Sequence, residues 1–79
     1  MFFVYILKNK DDNIYIGQTN DLEKRLFRHN SNQCSSTKSK DPWRIIYKEE
    51  FSNRADAMRR EKFLKSGKGR EWRKLNVLK

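Results

Sequence analysis

Two short runs of β-branched and aromatic residues, separated by a polar cluster, constrain the fold of this chain more than any other feature. Phe2–Leu7 and Ile14–Thr19 have the composition of strands, and Asn9–Asn13 has that of a turn. Strands this close in sequence usually lie side by side. The pattern therefore predicts a β-hairpin over residues 2–19.

The two tyrosines of this hairpin share a face only if the loop between the strands has an odd number of residues. Pairing Asn9 with Asn13 satisfies that condition and places Tyr5 opposite Gly17. Because glycine has no side chain, space would remain beside the Tyr5 ring. Tyr5 and Tyr15 are then either core residues or phenols at a reactive site. A phenol acts as a base only with a nearby cation or proton acceptor.

The remainder of the chain contains three helical patterns and one strand pattern. Asn20 with Glu23 three residues later resembles a capping box, Ser52 or Asn53 caps the next helix, and Gly67–Gly69 ends it. The predicted elements are a helix over 21–30, a polar loop over 31–42, a strand over 43–51, a helix over 54–66 and a helix over 70–78. The order β-β-α-β-α-α predicts a single α+β domain over residues 1–79, with a three-stranded, mainly antiparallel sheet flanked by helices.

The charge of the chain favours a polyanionic partner. There are 19 Lys and Arg residues against 10 Asp and Glu, which gives a net charge of +9 and a pI near 10.0. Residues 54–79 carry 10 of the basic residues and 3 of the acidic ones, so the positive charge is concentrated in the last third. Nucleic acid is the first candidate for the partner.

The residue inventory excludes several classes of protein. The longest apolar run, Phe2–Leu7, is too short to span a membrane, and no secretory leader opens the sequence. Cys34 and His29 are the only residues of their types, which excludes an internal disulfide and any two-histidine or cysteine-rich metal site. No P-loop motif is present. We expect a cytoplasmic protein.

Glu61 breaks the apolar pattern of the second predicted helix. At 100° per residue it lies within the stripe that contains Ala57 and Leu64. A buried, unpaired carboxylate is costly, so a partner must compensate its charge. One interpretation is a salt bridge to Arg54, Lys65 or a sheet residue, and the other is a metal ligand at the sheet edge. The salt bridge is favoured on the sequence alone.

Arg25 and His29 are spaced i,i+4 on the first predicted helix, beside the stripe formed by Leu22 and Leu26. A guanidinium binds phosphate through two parallel hydrogen bonds, and an imidazole exchanges protons near neutral pH. Taken alone, the pair is more typical of a solvated helix face, where cations suit the helix C-terminus. Together with two tyrosines and Glu61, it completes a set of groups able to cleave a phosphodiester bond.

These residues resemble the GIY-YIG nuclease family over essentially the whole chain. Phe3-Val4-Tyr5 stands where the family has Gly-Ile-Tyr, and Tyr15-Ile16-Gly17 matches Tyr-Ile-Gly. Arg25 and His29 fall at the positions of the family's helical arginine and histidine, and the segment from Ala57 to Lys65 resembles its glutamate helix. Pro-Trp before the third strand is shared with the small stand-alone bacterial members. Phe3 departs from the family's glycine.

The resemblance implies a metal-dependent DNA endonuclease. Its single Mg²⁺ or Mn²⁺ ion would be held by Glu61 and bound weakly without DNA. In the family the first tyrosine, here Tyr5, is a favoured water-activating base, while Tyr15 positions the water or is itself the base. The resemblance assigns the scissile phosphate to Arg25 and an assisting role to His29.

The family includes homing endonucleases, restriction enzymes and a repair subunit that incises DNA, which attach this module to separate DNA-binding domains. The larger members use a C-terminal asparagine, for which Asn76 is the candidate here. Because this sequence carries no such added domain, the resemblance implies little intrinsic sequence specificity, with a protein partner directing any specificity.

The basic residues near the end of the chain surround Trp72. We expect Trp72 and Leu75 to anchor the last helix to the core, and Trp43 to be a core residue, because a small domain needs its large apolar side chains inside. The cations suit phosphate contacts, which give affinity without sequence preference. The candidate nucleic-acid-binding residues are Lys38 and Lys40 in the polar loop, Lys65, Arg70, Arg73 and Lys74.

Three functions are consistent with the sequence. They are a metal-dependent DNA endonuclease, a non-catalytic nucleic-acid-binding module with the same fold, and a basic protein that docks on an acidic partner or on ribosomal RNA. If the candidate site residues converge on one cleft, the endonuclease is favoured. If they are scattered over the surface, the third function is favoured. The residues that this test compares are Tyr5, Tyr15, Arg25, His29 and Glu61.

Overall fold

The computed structural model describes residues 1–31 and 42–77 and contains one antiparallel sheet of three strands with three helices. The strands are β1 (Phe2–Asn9), β2 (Ile14–Thr19) and β3 (Trp43–Phe51), and the helices are α1 (Leu22–Asn30), α2 (Arg54–Lys65) and α3 (Gly67–Asn76). The predicted α+β class and the order β-β-α-β-α-α are confirmed. Lys38 and Lys40 lie outside the described residues.

A compact turn sets the register of the β1–β2 hairpin. The Asn9 side-chain Oδ1 accepts hydrogen bonds from the backbone N–H groups of Asp11 and Asn13, at 3.0 and 2.8 Å. Asp12 has a φ of 62°, a left-handed conformation that aspartate tolerates better than most residues. The resulting ladder pairs Tyr5 with Gly17, so the predicted register is confirmed.

The sheet has the order β2-β1-β3, so β1 is central and both of its faces are covered. Successive strand residues point to opposite faces, which explains why four consecutive residues of β1 are buried. Val4 and Ile6 pack with Ala57 and Leu64 of α2 on one face. The other face carries Tyr5, Leu7 and Trp43, against which Leu22 and Leu26 of α1 pack. The face of the sheet that carries Tyr5 and Tyr15 therefore packs against α1. The opposite face, behind the sheet as seen from α1, packs against α2.

The helix boundaries differ from the predictions at two places. The N-cap of α1 is Asp21 and not Asn20, because the Asp21 side chain accepts the Lys24 backbone N–H at 3.1 Å. The predicted choice at α2 is settled as Asn53, whose side chain accepts from the Asp56 N–H. None of the helices in residues 1–31 and 42–77 is long and apolar enough to cross a membrane.

The second difference concerns Gly67–Gly69, which forms the first turn of α3 instead of a connecting stop. Ser66 caps that turn by accepting the Gly69 N–H at 3.2 Å. A Cβ built on Gly69 would lie 1.9 Å from the Phe63 carbonyl oxygen, so only glycine allows the two helices to approach this closely.

The anchoring of α3 follows the prediction for Trp72 but not for Leu75. Trp72 is half-buried against the core behind the sheet, with its ring 5.5 Å from that of Tyr47. Leu75 is 74% exposed, and Val77 contacts the core in its place. Trp43 is buried, as expected.

Candidate functional site

Tyr5, Tyr15 and His29 form a cluster between the β1–β2 hairpin and α1. The Tyr5 Oη lies 3.1 Å from the His29 Nε2, within hydrogen-bond distance. The ring centroids of Tyr5 and Tyr15 are 6.2 Å apart, and those of Tyr15 and His29 are 4.7 Å apart. Both phenols therefore share the face that the register predicts.

His29 is fully buried, which corrects the solvated helix face favoured when its spacing is read alone. It follows Leu22 by seven residues, close to two full turns, so it points towards the sheet beside that leucine. Burial is the larger cause that lowers the pKa of His29 from 6.5, and the positive charge of Arg25 is the second cause. The imidazole is therefore neutral at pH 7, and one of its nitrogens can accept a proton.

Tyr5 and Tyr15 differ in their access to solvent. Tyr5 is 1% exposed, whereas Tyr15 is half-buried. Gly17 makes room for both rings, because a Cβ there would lie 2.6 Å from the Tyr5 Oη and 3.0 Å from the Tyr15 Cε2. The glycine that the sequence placed beside Tyr5 thus packs against both phenols.

Arg25 occupies the same helix as His29 and is half-buried. It is close enough to His29 to lower the pKa of that residue. Arg25 also lines a surface hollow with Lys24 and Arg28, two cations that the sequence reading did not single out. Their i,i+4 spacing was the available signal, because it places both on one side of α1. Three cations therefore line this hollow, together with the carboxylate of Asp21.

Glu61 is paired with Lys65, one of the salt-bridge partners that the sequence suggests for it. Its Oε2 accepts a hydrogen bond from the Lys65 Nζ at 2.8 Å, and the glutamate side chain is 21% exposed. Ala57 and Leu64 of the same helix pack on the face of the sheet opposite to that of Tyr5.

Lys65 connects the two layers at the edge of the sheet. It lines a hollow beside Glu61, and it also lines a second hollow beside Tyr15. We call the second one the β2-edge hollow, and its lining residues are Ile14, Tyr15, Ile16, Lys65 and Arg73. The tyrosine face and the glutamate helix therefore meet along β2, the edge strand.

The other candidates on α3 lie at different depths. Arg70 and Lys74 are exposed, as nucleic-acid contacts require, while Arg73 is half-buried. Asn76 is exposed, and its Nδ2 donates to the Trp72 carbonyl at 2.9 Å, one turn earlier on the same helix. The side chain of Asn76 is thus directed at its own helix.

A sheet whose hairpin presents two tyrosines to a helix carrying an arginine and a histidine defines the class: a small α+β domain organised around a tyrosine–histidine cluster. The family model described as "GIY-YIG catalytic domain" matches residues 1–76. The chain therefore belongs to the GIY-YIG family, a family of nucleases, and the resemblance noted in the sequence is confirmed.

Bacterial relatives are similar over most of this chain. The UPF0213 protein CPE1444 of Clostridium perfringens is 45% identical over 67 residues, which are 82% of this chain and 71% of the relative. The UPF0213 protein YsiG of Lactococcus lactis is 39% identical over 79 residues, covering 99% of this chain and 75% of the relative. The solution NMR structure of the UPF0213 protein BH0048 from Bacillus halodurans has 33% sequence identity and a TM-score of 0.55, covering 91% of this chain and 81% of that one.

Proposed function

We propose that this chain is a divalent-metal-dependent endonuclease that hydrolyses phosphodiester bonds in DNA with little intrinsic sequence specificity. The observation that carries the proposal is the hydrogen bond between Tyr5 Oη and His29 Nε2, formed inside a cluster that includes Tyr15. A neutral imidazole within hydrogen-bond distance of a phenol can accept a proton, which is the chemistry that activation of a water requires.

The exposure of the two tyrosines divides their roles. Tyr15 reaches solvent, so we assign the contact with the attacking water to its phenol oxygen. That oxygen takes up a proton from the water as the phenol passes its own proton to the neutral imidazole of His29, and the leaving oxygen takes a proton from solvent. Tyr5 is buried and positions His29 through their hydrogen bond. The positive charge of Arg25 stabilises negative charge on the phosphate. The water oxygen then bonds to phosphorus as the phosphorus–oxygen bond to the leaving group breaks.

Glu61 is the residue that would hold the metal ion. No three His, Cys, Asp or Glu side chains cluster in a way that could hold a metal within residues 1–31 and 42–77. Mg²⁺ keeps most of its waters and takes one or two carboxylates together with substrate phosphate, so the half-buried carboxylate of Glu61 fits such an ion. When bound, the ion would polarise the phosphate. Binding without DNA would be weak, because one carboxylate supplies all the protein charge.

A specific observation favours a second candidate function, a non-catalytic nucleic-acid-binding module. The Glu61 carboxylate is already neutralised by Lys65 and lies behind the sheet that carries the tyrosines. If that ion pair persists in the complex with DNA, the fold would bind phosphates without cutting them.

A nicking assay separates the two functions. Supercoiled, branched and single-stranded DNA are incubated with the protein and Mg²⁺ or Mn²⁺, beside the variants Glu61→Gln and Tyr15→Phe. Glu71→Gln is the matched control, since Glu71 is an exposed glutamate on α3. If the chain is an endonuclease, the parent and the control variant cleave DNA. The cleavage rate then falls by at least about 100-fold in both test variants.

Equal cleavage by Glu61→Gln and the parent would remove Glu61 from the mechanism. DNA binding without cleavage under every metal condition would establish the non-catalytic module. Affinity measurements on the same proteins make this distinction, because the Gln variant keeps the shape of the side chain and should bind DNA about as well as the parent.

A further inference from the structure

The β2-edge hollow gathers a tyrosine, a lysine and an arginine from three different elements. Ile14, Tyr15 and Ile16 supply one wall from β2, Lys65 supplies a second from α2, and Arg73 supplies a third from α3. Because β2 is an edge strand, this wall is open on the side away from β1. No carboxylate lines the hollow among the described residues.

Arg73 lines this hollow and also carries a side-chain donor that lacks an acceptor among the described residues. Its Nε is buried and has no hydrogen-bond acceptor within the part of the chain that the structure describes. Burial, and then the nearby charge of Arg70, lowers the pKa of Arg73 from its ordinary value, but a guanidinium remains charged at neutral pH. Burying a charged donor without an acceptor is unfavourable, so an anionic acceptor would satisfy a cost that the protein alone leaves in place.

Lys65, the other cation of the hollow, is a donor and cannot serve as an acceptor for Arg73. Its own charge is already offset by Glu61. Its Nζ donates to Glu61 at 2.8 Å, so the pair is close to neutral. The uncompensated charge at the hollow is then that of Arg73. A group with several oxygen acceptors and a negative charge matches a guanidinium, whose N–H donors lie in one plane and bind phosphate through parallel bonds.

We propose that the β2-edge hollow is a second phosphate site, in which Arg73 binds a backbone phosphate of the nucleic acid next to the one that Arg25 serves. This inference rests on the proposed function, because Tyr15 lines the hollow and belongs to the tyrosine cluster. It also assigns a path to the nucleic acid. The sugar–phosphate backbone of the nucleic acid runs along β2, with Arg25 on one side of the sheet and Arg73 on the other.

Such a path explains how two layers of the fold act on one substrate. Tyr15 and Arg25 belong to the α1 side, whereas Glu61 and Arg73 belong to the side of α2 and α3. A nucleic-acid strand held at Arg73 passes beside Lys65, the partner of Glu61. Phosphate bound there competes with Glu61 for the lysine and releases carboxylate oxygens for a metal ion.

The first test uses inorganic phosphate and NMR, with no requirement for cleavage. In ¹H–¹⁵N spectra the Arg73 Nε–Hε signal and the backbone amides of Ile14–Ile16 should shift with phosphate concentration. Chloride at equal ionic strength is the control for screening. A phosphate-specific shift at Arg73 supports the site, and identical responses to phosphate and chloride overturn it.

The second test uses affinity for a labelled single-stranded DNA at several salt concentrations. Loss of one phosphate contact lowers the slope of log affinity against log salt by about 0.7 for a single strand. Arg73→Gln should lower the slope by that amount and weaken binding several-fold. Lys68→Gln is the matched control: it removes one charge from the same helix, about 140° around its axis from Arg73, and should leave the slope unchanged.

Arg73→Lys keeps the proposal testable if the glutamine variant is poorly folded. It retains the charge but lacks the Nε donor, so it should keep the slope and still bind at least about threefold more weakly. Equal slopes and affinities for the Arg73 and Lys68 variants would overturn the phosphate site even if the parent cleaves DNA. If the parent fails to cleave DNA, the proposed function is overturned instead. Both tests of Arg73 still apply in that case, because they measure NMR shifts and DNA affinity and not cleavage.

Discussion

Gly17 lies directly opposite Tyr5 in the β1–β2 ladder, and a Cβ on it would come within 2.6 Å of the Tyr5 phenol oxygen. The phenol can occupy its position beside His29 only because residue 17 has no side chain. This glycine belongs to the motif that made the family recognisable, so the motif has a packing cause as well as a chemical one.

Gly17→Ala should therefore displace the Tyr5 phenol and break its hydrogen bond to His29. We expect cleavage to fall by roughly 100-fold, the scale of a misplacement of about 1 Å at a reactive site. Nicking rates measure the loss, and the imidazole ¹⁵N shifts of His29 report the broken bond. Unchanged His29 shifts in the alanine variant would show that the Tyr5–His29 contact does not depend on Gly17.

The contact between α2 and α3 should depend on Gly69 and not on Gly67. A Cβ on Gly69 meets the Phe63 carbonyl and the Leu64 backbone, whereas nothing lies within 4 Å of a Cβ on Gly67. Gly69→Ala should cost at least about 2 kcal/mol of unfolding free energy, because backbone atoms must move apart. Gly67→Ala should change stability by less than about 1 kcal/mol and in the stabilising direction.

Urea unfolding of the two glycine variants measures this difference directly. The variants carry the same chemical change two residues apart, so the comparison isolates the close approach. Equal stabilities would mean that α3 shifts on α2 without penalty and that Gly69 is not required there.

His29 should make stability depend on pH. Its pKa in the fold is lowered from 6.5 by burial and by Arg25, so the unfolded chain binds its proton more readily. The stabilisation is fully present above about pH 6.5 and is lost as the pH falls through the lower pKa of the folded state. The parent should therefore lose unfolding free energy relative to His29→Gln between pH 7.5 and pH 5, a range chosen to bracket the value of about 6.5.

The measurement is a set of urea unfolding curves for both proteins across that range. The relevant quantity is the difference between parent and variant, since other groups titrate in both. A difference that stays constant with pH would contradict the burial of a neutral imidazole at this position.

Arg60 and Glu49 should contribute to the docking of α2 and α3 on β3. The arginine binds the carboxylate with two hydrogen bonds, of 2.8 and 3.1 Å, and its guanidinium lies 4.6 Å from the centre of the Trp72 ring. The Tyr47 hydroxyl donates to the same carboxylate. Glu49→Gln should lower the unfolding free energy by about 2 kcal/mol, the scale of hydrogen bonds to a charged group.

Glu50→Gln is the matched control for this network, because Glu50 is the next residue of β3 and takes no part in the hydrogen bonds of Arg60. Thermal or urea unfolding should place that variant within about 0.5 kcal/mol of the parent. A stability loss shared equally by both variants would mean that charge, and not the Arg60 contact, is responsible.

The hairpin, its register and the pairing of Tyr5 with Gly17 can be predicted from the sequence alone. These features follow from local rules: a five-residue polar turn, the alternation of side chains along a strand, and the missing side chain of glycine. The order of elements and the α+β class followed from the same short-range patterns. The spacing of Arg25, His29 and Glu61 carried the family resemblance before any contact was known.

Only the tertiary structure decided which side of the sheet each helix covers. Spacing along a helix shows which residues share a face, but what that face packs against depends on contacts between distant segments. His29 is consequently buried against Tyr5 although its spacing alone suggested a solvated face, and Glu61 lies behind the sheet with Lys65. The unsatisfied donor of Arg73 beside β2 is likewise a product of α3 docking, because burial and the lack of an acceptor are properties of the assembled fold.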